Sequence, residues 1–302
     1  MTGPETVQPV TVIGGYLGAG KTTLINHLLR NANGVRLAIL VNDFGELAID
    51  EDLIEAEDDD IISITGGCVC CSFGNDLGEA LMALAAISPR PDHVVIEASG
   101  VAIPSAIVGS VSLLRGFRND GVIILADAET ITKSARDKYM GDTVQRQITD
   151  GNIVLLNKVD LVSTDQRSQA KAWITGQNPT ARIVETVSSV VATDIVLDSF
   201  MTNVGTPQTH YEPSGLTRLV LRPQGPLDLQ QLAQLLASEP GIIRAKGFAY
   251  GPDGTVGLIQ VVGSRCETQI VSIPREPGIV CLGFEDCLDT RRIEHIATTC
   301  TL

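Results

Sequence analysis

The sequence predicts an α/β protein: a doubly wound, mainly parallel sheet followed by a smaller C-terminal α+β domain. Three observations carry that prediction. Short apolar runs alternate with helix-like stretches through the first two-thirds of the chain, the pattern of strands covered on both faces by crossover helices. A glycine-rich segment, Gly15-Tyr16-Leu17-Gly18-Ala19-Gly20-Lys21-Thr22-Thr23, stands between one such run and a helix-like stretch. Beyond a region rich in glycine, proline and threonine, Thr202 to Gly215, the order changes to a strand, a helix and closely spaced strands. At 302 residues the chain has room for two cores. The expected boundaries are 1–205 for the first domain, 206–215 for a linker and 216–302 for the second domain.

Taken in order, Val10 to Ile13 reads as the first strand and Leu24 to Leu29 as the body of the first helix. Arg36 to Val41 is a second strand, ending in the polar loop Asn42-Asp43-Phe44-Gly45-Glu46. The acidic run Asp50 to Asp60 reads as a solvated loop. Ile61 to Ile64 is a short strand, Gly66-Gly67 a turn, and Asp76 to Ala86 a helix that ends before Pro89 and Pro91. Strands follow at His93 to Ile96, Val122 to Asp127 and Ile153 to Leu156, with helices at Asp142 to Thr149 and Asp165 to Ile174 and a strand at Ala181 to Val187. The second domain reads as strands at Leu216 to Leu221, Ile242 to Tyr250, Thr255 to Val262 and Gly278 to Leu282, with helices at Leu227 to Ala237 and Thr290 to Ala297.

Strand, glycine-rich turn and helix, with G-x-x-x-x-G-K-T in the turn, is the context a phosphate-binding loop requires. Gly15, Gly18 and Gly20 let backbone N–H groups of the loop, including those of Ala19, Lys21, Thr22 and Thr23, turn toward an anion. The helix that starts there adds its unpaired N–H groups and positive dipole end. Lys21 is placed to reach the β- and γ-phosphates, and the Thr22 hydroxyl to take a position on Mg2+. Downstream, Glu97-Ala98-Ser99-Gly100 closes a buried strand. Glu97 is expected to hold Mg2+, and the Gly100 N–H to face the γ-phosphate. At the end of a later strand stands Asn157-Lys158-Val159-Asp160, an N-K-x-D. The Asp160 carboxylate would accept from guanine N1–H and the exocyclic amine, with Asn157 on the base edge and Lys158 stacked on the ring. Adenine lacks those donors and would leave a charge unpaired, so GTP is the expected nucleotide. Ser188-Ser189 is expected to offer backbone to the base.

Net charge is −14, which argues against a nucleic-acid partner, since phosphate backbones need a positive face. No apolar run is long enough to span a bilayer, and Met1 to Gln8 lacks a signal-peptide core, so a cytoplasmic protein without membrane contact is expected. Of seven cysteines, Cys68, Cys70 and Cys71 are packed together. In a reducing compartment such a cluster is metal-binding or redox-active more often than a disulfide frame. Cys266, Cys281, Cys287 and Cys300 are expected in the core.

The chain resembles the CobW-like family of metal-handling GTPases. The residues that carry the resemblance are Gly15 to Asn26, Asn42 to Glu46, Gly66 to Cys71, Ile96 to Pro104 and Arg244 to Gly247, the last of which opens the C-terminal domain in that family. The resemblance implies GTP hydrolysis coupled to holding Zn2+, or Co2+ or a related divalent ion, and delivering it to a client metalloprotein. A dedicated activator of one metalloenzyme, such as nitrile hydratase or a cobalamin-pathway enzyme, and a Zn2+ sensor are the alternatives. The histidine-rich stretch of many members is missing; only His210 stands in the linker, which disfavours metal storage. Asp43 replaces the usual glutamate, a shorter carboxylate with a different reach.

Thiolates favour Zn2+ and also accept Co2+, Ni2+ and Cu+. If the cysteine segment is extended, Cys68 and Cys70 share a face; if it turns helically, Cys68 and Cys71 do. Either way an oxygen of Glu46 or Asp43, or water, completes a tetrahedral site. Hydrolysis is expected to rest on Lys21, Thr22 and Glu97, with Glu46, Asp43 and Glu97 as candidates for orienting water. The oligomeric state is left open, with a homodimer allowed.

Overall fold

In the computed structural model, residues 7–32, 34–41, 61–65, 76–197, 216–271 and 276–301 are described. Cys68, Cys70, Cys71, Asp43, Glu46, the acidic run and the linker with His210 lie outside them. The chain divides into two compact units, Met1–Asp198 and Ser199–Leu302.

The first unit is a seven-stranded parallel sheet built from β1 (Gln8–Gly15), β2 (Leu37–Val41), β3 (Ile61–Thr65), β4 (His93–Glu97), β5 (Phe117–Asp127), β6 (Ile153–Asn157) and β7 (Arg182–Glu185). Their order is β3-β2-β4-β1-β5-β6-β7. Every residue of β1, β2, β4 and β6 is buried, which is why these strands read as unbroken apolar runs and not as alternating ones. Around the sheet lie α1 (Lys21–Arg30), α2 (Asp76–Ala86), α3 (Pro104–Ser112), the short α4 (Ile131–Ser134), α5 (Gly141–Asp150), α6 (Thr164–Gln177) and the short α7 (Thr193–Val196). Leu77, Leu81 and Leu84 of α2, Ile107 and Val111 of α3, Val144 and Ile148 of α5, and Ala170 and Ile174 of α6 join one core with Val10, Val12, Ile96 and Ile124. The helix α6 opens on a capping box, in which Ser163 Oγ accepts from Gln166 N and the Gln166 side chain accepts from Ser163 N.

Asn178, just past α6, is buried and joins several segments. Its Nδ2 lies at 2.9 Å from Ile148 O, 3.1 Å from Thr149 O and 2.9 Å from Gly151 O, while Oδ1 accepts from Thr180 and from Ala181 N. It therefore supplies a buried donor to carbonyls at and just past the end of α5, of which Ile148 O also accepts from Gly151 N at 3.2 Å. Asn178→Ala is expected to lower the unfolding free energy by about 2–3 kcal/mol, because those carbonyls lose the side-chain donor they share. A urea titration measures the change.

The second unit holds β8 (Leu216–Leu221), α8 (Leu229–Ser238), β9 (Ile242–Tyr250), β10 (Val256–Val262), β11 (Arg265–Val271), β12 (Gly278–Phe284) and α9 (Thr290–Thr299). Its sheet is antiparallel in the order β11-β10-β9-β12-β8. Asp228 caps α8 by accepting from Gln231 N, and Asp289 caps α9 by accepting from Arg291 N and Arg292 N. Leu232 and Leu236 of α8 and Ile293 of α9 pack on Ala245, Ile259 and Cys281.

Several expectations need correction here. The helix α3 and the strand β11 were not expected. The first is short and starts at Pro104, and the second is mostly polar because it is an edge strand with exposed side chains. The strand β5 begins at Phe117, earlier than the apolar run suggests. Arg244 to Gly247 lies within β9, after β8 and α8, and so does not open the unit. Of the four C-terminal cysteines, Cys281 and Cys300 are buried, but Cys266 is only partly so and Cys287 is exposed. Cys287 sits in the turn after β12, where no layer covers it. Burial pushes the Cys281 thiol up to about 12. Cys287 is therefore expected to alkylate in the folded protein and Cys281 only after denaturation, as peptide mapping would detect.

Candidate functional site

The strand β1 lies between β4 and β5. The chain leaves β1 toward β2 on one side of the sheet and leaves β5 toward β6 on the other. Their carboxyl ends therefore flank a switch point, where open α/β sheets bind ligands. The glycine-rich loop leaves β1 at this point. Gly15, Gly18 and Gly20 have φ of 136°, 74° and 107°. Ala19 N donates to Tyr16 O at 3.2 Å, and α1 then starts at Lys21 with no capping side chain and no acid in its first turn. Lys21 is buried and Thr23 exposed.

Glu97, at the end of β4, is 4 % exposed, and its Oε1 accepts from Thr22 Oγ1 at 3.4 Å. A buried carboxylate thus lies against the helix start that carries the threonine hydroxyl. Nearby in sequence, the buried Ser99 Oγ has no hydrogen-bond partner among the described residues. Gly100 follows in a turn closed by Ala102 N donating to Ser99 O.

On the other side of β1, the N-K-x-D segment ends β6. Asn157 is 2 % exposed and all its polar valences go to protein. Nδ2 donates to Ala19 O and to Ser189 Oγ, both at 2.9 Å. Oδ1 accepts from Ser189 N at 2.8 Å and from Thr186 Oγ1 at 3.1 Å. Ser189 Oγ in turn donates to Gly20 O at 3.0 Å. Asn157 therefore ties the glycine loop to the 186–189 loop, and does not present its amide to a base edge as expected. Gly20 must be glycine for the same reason. A Cβ there would lie 2.5 Å from Asn157 Nδ2 and 2.6 Å from Ser189 Oγ, on a backbone already in the left-handed region.

The neighbouring loops are held in costly conformations. Lys158, Ser188 and Ser189 have positive φ of 62°, 51° and 57°. Non-glycine residues enter that region only where surroundings compel them, and such outliers gather at binding sites. Lys158 Nζ is fixed by Asp127 Oδ2 at 2.7 Å, from the end of β5. Asp127 Oδ1 also accepts from Glu129 N at 2.8 Å, so the carboxylate is oriented by its own turn. Asp160 stands exposed in the short turn Val159–Leu161.

The structure thus brings Gly15, Gly18, Ala19, Gly20, Lys21, Thr22, Glu97 and Gly100 to the β1 and β4 ends, and Asn157, Lys158 and Asp160 to the β6 end. Sequence reasoning missed the roles of Asp127, Thr186 and the Ser189 side chain. The one signal available was an acid at the end of a buried strand. Among the described residues no group of three or more His, Cys, Asp or Glu is placed to hold a metal ion.

A strand-loop-helix phosphate cradle at the switch point of a parallel sheet defines a nucleotide-binding protein of the P-loop class. A family model described as CobW/HypB/UreG, nucleotide-binding domain, matches residues 9–185, and one described as Cobalamin synthesis protein cobW C-terminal domain matches residues 216–294. The chain belongs to the CobW/HypB/UreG family. It is 28 % identical to Zinc chaperone CobW of Sinorhizobium sp over 86 % of each chain. It is 30 % identical to Zinc chaperone YjiA of Escherichia coli, over 80 % of this chain and 81 % of that one. It is 28 % identical to Zinc-regulated GTPase metalloprotein activator 1 of Dictyostelium discoideum, over 80 % of this chain and 62 % of the longer relative.

Proposed function

We propose that the chain is a GTP-binding and GTP-hydrolysing metallochaperone. It binds Zn2+, or Co2+ or another divalent ion, through Cys68, Cys70 and Cys71, and delivers it to a client metalloprotein. The observation that most supports the nucleotide half is the Asn157 network, which joins Ala19 and Gly20 of the phosphate loop to Ser189 beside the N-K-x-D segment. One buried hub thereby serves both ends of a single nucleotide pocket. Similarity to relatives named zinc chaperones supports the metal half.

In this reading Lys21 and the loop N–H groups neutralise the phosphates, and the Gly100 N–H faces the γ-phosphate. Asp160 reads guanine while Lys158, steadied by Asp127, covers the ring. The oxygen donors Thr22 and Glu97 fit a hard cation. They would hold Mg2+, which supplies charge neutralisation at the phosphates when bound. Glu46, Asp43 and Glu97 are the proposed choices for orienting water. Lys21→Ala is expected to slow GTP turnover at least about a hundredfold, the scale of losing one well-placed transition-state charge contact.

Cys68, Cys70 and Cys71, completed by Glu46 or Asp43, form the cargo site. They fall in sequence between β2 and β4, whose ends approach the nucleotide, so nucleotide state is expected to change metal affinity by roughly 5- to 150-fold. The test is a Zn2+ competition titration of reduced protein with a GTP analogue and with GDP, beside a Cys68→Ala, Cys70→Ala, Cys71→Ala variant. Equal affinities in both states reject the coupling, and an unchanged affinity in the variant rejects the site.

The relative named a metalloprotein activator favours a second reading, activation of one dedicated client. Transfer of Zn2+ to a single apo-enzyme and to no other supports it. Metal binding with no transfer at all points to a sensor. The acidic charge of −14 supports a protein client over nucleic acid. The proposed setting is the cytoplasm, away from membranes, and a homodimer is the self-association to test.

A further inference from the structure

The helix α5 presents a buried stripe of Val144, Gln147 and Ile148 at helical spacing. Gln147 is the anomaly, an amide at 1 % exposure in an otherwise apolar row. Its Nε2 donates to Gly100 O at 3.1 Å and to Ala102 O at 2.9 Å. Both hydrogens of the amide are thereby committed to the two carbonyls of the turn that follows β4. The same turn also meets the phosphate loop. A Cβ at Gly100 would lie 2.4 Å from Leu17 Cδ2 and 3.1 Å from Leu17 N. The Gly100 turn is therefore held by Gln147 and packed closely against Leu17.

A turn built on glycine has several backbone states of similar energy, and a flip of the peptide that follows Gly100 would reverse its carbonyl and displace the turn that carries the Gly100 N–H. The Gln147 amide opposes that flip, since a reversed Gly100 carbonyl would lose its buried donor and leave one of the two amide hydrogens without its partner, while the other still holds Ala102 O. Gln147 is on a different element from any residue of the nucleotide site, and no step in the proposed chemistry uses it.

We propose that Gln147 is the positioning residue of the γ-phosphate contact. It holds the Gly100 turn in the orientation that tells a triphosphate from a diphosphate, without touching the nucleotide. The proposal rests on the reading that the Gly100 N–H faces the γ-phosphate. It predicts a specific split. Gln147→Glu keeps the shape and replaces the donating NH2 with an oxygen that faces two carbonyls. Gln147→Met keeps the length and removes the donors.

The measurement is the dissociation constant for a non-hydrolysable GTP analogue and for GDP, by calorimetry on the full chain with Mg2+. In both variants the analogue is expected to bind about tenfold more weakly, the scale of one misdirected hydrogen bond, with GDP unchanged within about twofold. Equal weakening of both nucleotides would make Gln147 a structural residue only and overturn the proposal, as would no change in either. Partial unfolding lowers the GDP stoichiometry and leaves the ratio of constants intact, so a poorly folded variant still gives an answer. If the unmutated protein itself does not distinguish the two nucleotides, the reading of Gly100 fails, whatever the variants do.

Discussion

Asp160→Asn is expected to exchange guanine for xanthine recognition. The carboxylate would accept two hydrogen bonds from guanine, from N1–H and from the 2-amino group. An asparagine amide accepts only at its oxygen, so its NH2 faces the 2-amino group donor to donor. Xanthine carries a carbonyl at that position and restores the complement. Losing one charge-assisted bond and gaining one repulsion should weaken GTP on the order of a hundredfold, while XTP tightens by a comparable factor. Because Asp160 is exposed, the fold should hold and thermal unfolding should barely move. Competition of GTP, XTP and ATP against one fluorescent nucleotide measures all three constants. A variant that keeps its GTP affinity would show that this acid does not read the base.

Asn157→Ala is expected to damage both stability and binding. The side chain makes four hydrogen bonds in a buried position, to Ala19, Thr186 and twice to Ser189. Truncation leaves the Ala19 carbonyl and the Ser189 N–H without those partners, and releases Ser189, whose backbone is left-handed. The loss should amount to about 3–5 kcal/mol of unfolding free energy. Nucleotide binding should fall even under conditions where the variant is folded, because the phosphate loop loses its anchor at Ala19. Asn157→Asp separates the effects. It keeps the acceptor for Ser189 N but sets a carboxylate against the Ala19 carbonyl, so binding should fall further than packing. Chemical denaturation with and without GDP distinguishes the two variants.

Much of the fold could be read along the chain because its parallel strands are buried on both faces. Such strands appear as unbroken runs like Leu37 to Val41 and Ile153 to Leu156, which need no alternation to be seen. The polar edge strand β11 lacks that signature, and α3 is short and starts at a proline, so both were invisible. The phosphate loop, Glu97 and the N-K-x-D segment were legible for a different reason. Each is a local pattern whose chemistry depends on residues a few positions apart. The partners that hold them are remote: Asp127 for Lys158, Ser189 for Asn157, Gln147 for Gly100. Nothing in the local pattern names a partner 31 to 47 residues away.

By itself the sequence determined the class of fold, the place where phosphate would sit and the base expected to be read, because those rest on backbone conformation and side-chain donors set by neighbouring residues. Only the tertiary structure decided the strand order that puts β1 between β4 and β5, and the side chains that bind the loops to one another. It also showed the Asn157 amide, expected on the base edge, committed to Ala19, Thr186 and Ser189. The physical reason is burial. Once the strand ends are packed out of water, a polar group such as the Asn157 amide must find its partners within the protein. Which partner it finds depends on which segments the sheet brings together.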